Sequence, residues 1–104
     1  MQIKLKKFGT TLTSRQLGKE AFLAFSPTLK KTEAKEKVEL DFEGVVTLSP
    51  SWAEEFLQPL LDKYGKRLAL KNTNNISVKT TLNFLERNVG LKFNMVKTEN
   101  KNQS

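Results

Sequence analysis

Between Val38 and Leu61 the chain reads VELDFEGVVTLSPSWAEEFLQPLL, and its apolar spacing switches from period two to helical across one short polar turn. Val38, Leu40 and Phe42 alternate with Glu39, Asp41 and Glu43, which predicts a strand that buries one face and wets the other near its end. Gly44 marks a bulge or a tight approach before Val45, Val46 and Leu48. Trp52, Phe56, Leu60 and Tyr64, with Leu57 and Leu61 beside them, then recur at helical spacing. A strand that runs straight into an amphipathic helix commits the chain to layered packing, because each element must bury its apolar side against another.

Two serines compete to open that helix. Ser51-Trp52-Ala53-Glu54 has the spacing of a capping box, in which Ser51 accepts an amide hydrogen and Glu54 reaches back. Ser49, with Pro50 as the first helical residue, is the other register. Pro59 removes one amide donor and predicts a kink, and Gly65 suits the position just past the helix.

The flanking segments extend the pattern. QIKLKKF, residues 2–8, alternates as an edge strand with Ile3 and Leu5 inward and Phe8 outward, and a threonine-rich connection follows. Ser14 caps a first helix with Leu17, Ala21, Ala24 and Phe25 on one stripe, ended by Ser26-Pro27. Gly18 weakens it by about 1 kcal/mol unless another backbone approaches there. Residues 28–37 have no apolar stripe and predict an exposed linker. Residues 67–71 form a strand with Leu68 and Leu70 inward, and Asn72–Asn75 leads into a helix over 77–89 with Val78, Leu82, Leu85 and Val89 inward. Residues 91–96 alternate as a last strand. The expected architecture is α/β, a small mixed, mostly parallel sheet of about four strands with about three helices, forming a single domain over residues 1–96. A polar tail, 97–104, is expected to be disordered.

Charge is unevenly distributed. Residues 38–62 hold Glu39, Asp41, Glu43, Glu54, Glu55 and Asp62 with no Lys or Arg, so a chain of net charge +7 carries −6 here and +13 elsewhere. Lys4, Lys6, Lys7, Lys30, Lys31, Lys35, Lys37, Lys66 and Arg67 make a basic nucleic-acid-binding domain the alternative function. With no cysteine and no histidine, thiolate and imidazole metal sites and histidine proton transfer are excluded. No nucleotide or phosphate-loop motif indicates a cofactor. A pair drawn from Glu54, Glu55, Asp41 and Glu43 has the chemistry for a metal or for acid–base work, but acids in a first helical turn are also what the helix dipole favours. The expectation is a cytoplasmic protein without enzymatic activity, with no membrane-spanning segment.

The run VELDFEGVVTLSPSWAEEFLQPL, with Ser14-Arg15 and Gly18 before it and LALKNTNN after it, resembles the STAS-like domain family of unknown function. The resemblance implies a fold similar to the anti-sigma-factor antagonists, small α/β switches that dock on a histidine-kinase-like ATPase. In those relatives a serine or threonine opening the helix after the central strand is phosphorylated to break the complex. The matching position lies in Ser49 to Ser51, with Pro50 near the acceptor slot and Trp52 replacing the following glycine. The sequence thus nominates Glu43, Ser49, Ser51, Trp52, Glu54 and Glu55 as a partner-binding surface, with Ser49 and Ser51 as sites of phosphorylation. Trp52 is either a core residue or an exposed docking anchor. Arg15 is expected to form an ion pair with Asp41 or Glu43.

Overall fold

The computed structural model describes residues 1–31 and 36–96, so part of the expected linker and the whole tail lie outside the described residues. Four strands, β1 (Gln2–Lys4), β3 (Val38–Asp41), β5 (Leu68–Lys71) and β6 (Asn94–Met95), form one sheet in the order β1-β3-β5-β6, and each neighbouring pair is parallel. Parallel neighbours require crossovers, and these carry α1 (Arg15–Leu29), α2 (Pro50–Tyr64) and α3 (Ile76–Asn88). Two further strands, β2 (Thr11–Leu12) and β4 (Thr47–Leu48), pair in parallel as a second small sheet immediately before α1 and α2.

Strand register explains the core. Ile3, Leu40 and Leu70 stand opposite one another across three strands and are all buried, as are the paired Val38 and Leu68. The alternate positions carry Gln2, Glu39 and Ala69, exposed or half-buried, and there Lys71 forms an ion pair with Glu39 at 3.2 Å. One face of the sheet therefore meets the helices and the other stays polar. Asp41 belongs by register to the polar face, yet it is only 3% exposed, contrary to the wetted position expected.

Several elements differ from the sequence expectation for identifiable reasons. The first strand stops at Lys4, and Leu5–Phe8 form a 3-10 turn. The three-residue spacing of Leu5 and Phe8 lets both side chains turn inward, where an extended strand would send them to opposite faces. Phe8 is half-buried and lies 5.2 Å from Phe56 between ring centroids. Helix α1 runs through Pro27 to Leu29, so Thr28 and Leu29 are helical and not part of a linker. Its buried face is Gly18, Ala21, Phe25 and Leu29, whereas Leu17 and Ala24 are exposed; burying Leu29 offsets the amide lost at Pro27. Val89 lies just past α3 and is exposed, Leu91 being the next buried residue. The last strand is confined to Asn94–Met95.

Candidate functional site

The turn between β4 and α2 is fixed from three directions. Ser49, the N-cap of α2, accepts the Trp52 amide through its hydroxyl at 3.3 Å and donates that hydroxyl to the Thr13 carbonyl at 2.7 Å. Its own amide donates to the Leu12 carbonyl at 2.9 Å. One residue earlier, the Leu48 amide donates to the Ser77 hydroxyl of α3 at 3.0 Å, and the Leu48 carbonyl accepts the Thr81 hydroxyl. The register with Ser49 as cap and Pro50 at the first helical position is the one formed, and the capping box at Ser51 is not. Proline suits that position because its missing amide has no intrahelical partner to lose.

This register moves the acids. Glu54 and Glu55 fall in the second turn of α2, not the first, so their position owes nothing to the helix N-terminus. They face Arg15 instead: its Nη1 lies 2.7 Å from Glu55 Oε2 and its Nη2 lies 3.3 Å from Glu54 Oε1. The expected partners Asp41 and Glu43 are not used. Arg15 opens α1, and a planar guanidinium forks across two adjacent helix residues where a single ammonium would meet one. Donating to the carboxylates of Glu55 and then Glu54 raises the guanidinium's pKa above its ordinary value.

Next to this fork, α1 and α2 enclose a groove of about 380 Å³ lined by Lys19, Phe22, Leu23, Glu54, Glu55, Gln58, Pro59 and Asp62. Leu23 is 58% exposed along it. The groove combines an apolar strip from Phe22, Leu23 and Pro59 with three carboxylates and one lysine. Sequence inspection of α2 alone names Glu54 and Glu55 but misses Phe22 and Leu23. The signal for Leu23 was available in α1, where it falls off the buried stripe of Phe25 and Leu29, whereas Phe22 lies on that stripe and packs partly against the core.

The remaining nominated residues separate. Trp52 is 1% exposed, stacked on Phe56 with ring centroids 4.9 Å apart, and so is a core residue unavailable as a docking anchor. Ser51 is half-buried at the second helical position, and its hydroxyl has no hydrogen-bond partner among the described residues. Glu43 is exposed in the turn just past β3, its amide donating to Asp41 Oδ1 at 2.9 Å. Asp41 Oδ1 also accepts the Asn72 side-chain amide at 2.7 Å. Burial pushes the Asp41 pKa up, but the hydrogen bonds from Asn72 and Glu43 and the charges of Lys71 and Lys4 outweigh it, and the net shift is downward. Among the described residues no three acidic side chains converge as a metal ion would require, and no helix is long and apolar enough to cross a membrane.

The family model described as a STAS-like domain of unknown function (DUF4325) matches residues 25–78, a span from the end of α1 through β3, α2 and β5 into α3. No curated protein and no solved structure matches the chain.

Proposed function

We propose that this chain, which belongs to the STAS-like domain family of unknown function, is a non-enzymatic regulatory module that binds a protein partner along the outer side of α2 and the adjoining face of α1. The observation that carries this reading is the α1–α2 groove. Three carboxylates and an exposed leucine border it, on a chain whose net charge is +7. Local charge of the minority sign steers a partner of opposite charge and suppresses self-association there, while the apolar strip supplies contact area. The partner segment that fits is basic and apolar. A histidine-kinase-like ATPase is the partner class in keeping with the STAS-like fold.

Of the two serines, Ser51 is the regulatory hydroxyl in this reading. Phosphorylating Ser49 would disrupt its hydroxyl contacts with Trp52 and Thr13, whereas Ser51 lies one helical turn from Glu54 and Glu55. A phosphate there adds about 1.5 to 2 negative charges beside the Arg15 fork and alters the rim that the partner meets.

Pull-down of a histidine-kinase-like ATPase from the same genome tests the reading. Glu54→Lys with Glu55→Lys abolishes capture while the far-ultraviolet circular-dichroism spectrum remains that of the folded chain, the melt falling because both Arg15 ion pairs are lost, and Leu23→Asp weakens capture independently. Capture that survives both changes places the partner elsewhere. A salt-sensitive shift of generic DNA or RNA by the same protein, unaffected by these substitutions, would favour the nucleic-acid alternative.

A further inference from the structure

A second concave site, independent of the α1–α2 groove, lies where α2 ends beside the approach to β6. Leu61, Gly65, Lys66, Lys92, Phe93 and Asn94 line a cavity of about 510 Å³. That volume falls within the roughly 300–1,000 Å³ range of small-molecule sites. Its walls are mostly apolar, from Leu61, Phe93 and the aliphatic stems of the lysines, and both Leu61 and Phe93 rest against the hydrophobic core. At Gly65 no heavy atom stands within 4 Å of where a Cβ would project, so this wall is open space. The Phe93 amide donates to Glu86 Oε2 at 3.1 Å, which anchors this wall to α3.

Among the described residues no ion pair neutralises Lys66 or Lys92 at the rim, and no acidic residue lines the cavity. The nearest acid along the chain on one side, Asp62, lines the other groove, and Glu86 on the other side has one oxygen taken by Phe93. Two ammonium groups at the mouth of an apolar hollow match a ligand with an apolar body and one anionic head. Burying the body removes apolar surface from water, and the lysines orient the head without a dedicated hydrogen-bond network.

We propose that this cavity binds a medium-chain aliphatic carboxylate. Calorimetric titration of the full chain at low ionic strength tests it with decanoate, decanol and butyrate. Decanoate binds at least fivefold more tightly than decanol, and butyrate, lacking the apolar body, gives no measurable heat. In Lys66→Gln with Lys92→Gln the preference for decanoate over decanol disappears, while the thermal melt is unchanged because both side chains are exposed. Amide chemical shifts of Leu61, Gly65, Phe93 and Asn94 move on addition of decanoate. The proposal is overturned if decanoate fails to bind, if decanol binds equally well, if the double variant keeps the preference, or if the perturbed amides lie elsewhere on the basic surface.

Discussion

The backbone of Trp52 occupies the space that a side chain at Gly18 would need: a Cβ there would stand 2.6 Å from the Trp52 carbonyl oxygen and 2.9 Å from its Cα. This contact lets α1 and α2 cross closely enough for Arg15, one turn earlier on α1, to reach Glu54 and Glu55, one turn later on α2. The glycine that weakens α1 as an isolated helix thus sets the geometry of the candidate docking face.

Gly18→Ala should therefore destabilise the protein despite alanine's better helix propensity. The helix gains about 1 kcal/mol from the substitution. Overpacking against another backbone, which cannot rotate away as a side chain can, costs about 1–3 kcal/mol and occasionally more. Thermal denaturation followed by circular dichroism should show a lower midpoint for the variant; an unchanged or higher midpoint would mean that the helices are free to separate at this crossing.

Which features of this crossing were legible in the sequence follows from the kind of information each needs. The strand–turn–helix of residues 38–61 announces itself by a change of period, and the parallel α/β sheet follows from element order. Gly18 was recognisable as a place suited to the approach of another backbone, but its partner was not, because Trp52 is 34 residues away and only the fold joins them. The buried stripe of α1 was misplaced for a related reason. Leu17 is the more apolar residue, but the face is set by Gly18 at the crossing and Leu29 beyond the proline, neither of which a local window favours. Ser49 and Ser51 were equally good caps by sequence, and the hydrogen bond from Ser49 to Thr13, a contact made through the β2–β4 pairing, accompanies the register that forms.

The two serines should separate cleanly under mutation. Ser49→Ala removes the cap and the bond to the Thr13 carbonyl and should cost about 1 kcal/mol, within the range for N-cap losses. Ser51→Ala should change stability by no more than about 0.5 kcal/mol, as for a substitution without a named structural role. Urea denaturation of both variants decides between the registers, and the reverse order would restore the capping box at Ser51.

Asp41 gives the stability a defined acid dependence. Its pKa in the folded protein lies below the ordinary value of 3.8, so the unfolded chain binds the proton more readily. The stabilisation is complete above that ordinary value and is lost as pH falls through the lower folded pKa. In Asp41→Asn this contribution to the slope should vanish, since no carboxylate remains beside Asn72, Lys71 and Lys4. Unfolding free energies measured between about pH 2 and pH 6 should show a shallower acid limb for the variant. Equal slopes would mean that Asp41 titrates alike in both states.

The attachment of α3 to the turn below Ser49 should behave as a coupled unit. The Leu48 carbonyl accepts both the Thr81 and the Ser77 hydroxyls, and the Leu48 amide is satisfied by Ser77. Thr81→Val keeps the shape but removes one donor, and Ser77→Ala removes a second donor together with the only acceptor described for that amide. Thr81→Val alone should cost about 1 kcal/mol, because the carbonyl retains one partner, whereas Ser77→Ala alone should cost about 1–3 kcal/mol, because it leaves the buried Leu48 amide unsatisfied. Together they also leave the carbonyl without a partner, so the double variant should lose more than the sum of the singles by about 0.5 kcal/mol or more. A double-mutant cycle in urea measures that excess. Strict additivity would show that water or a backbone shift satisfies the Leu48 carbonyl once both hydroxyls are gone, and that Ser77 and Thr81 hold the turn independently of each other.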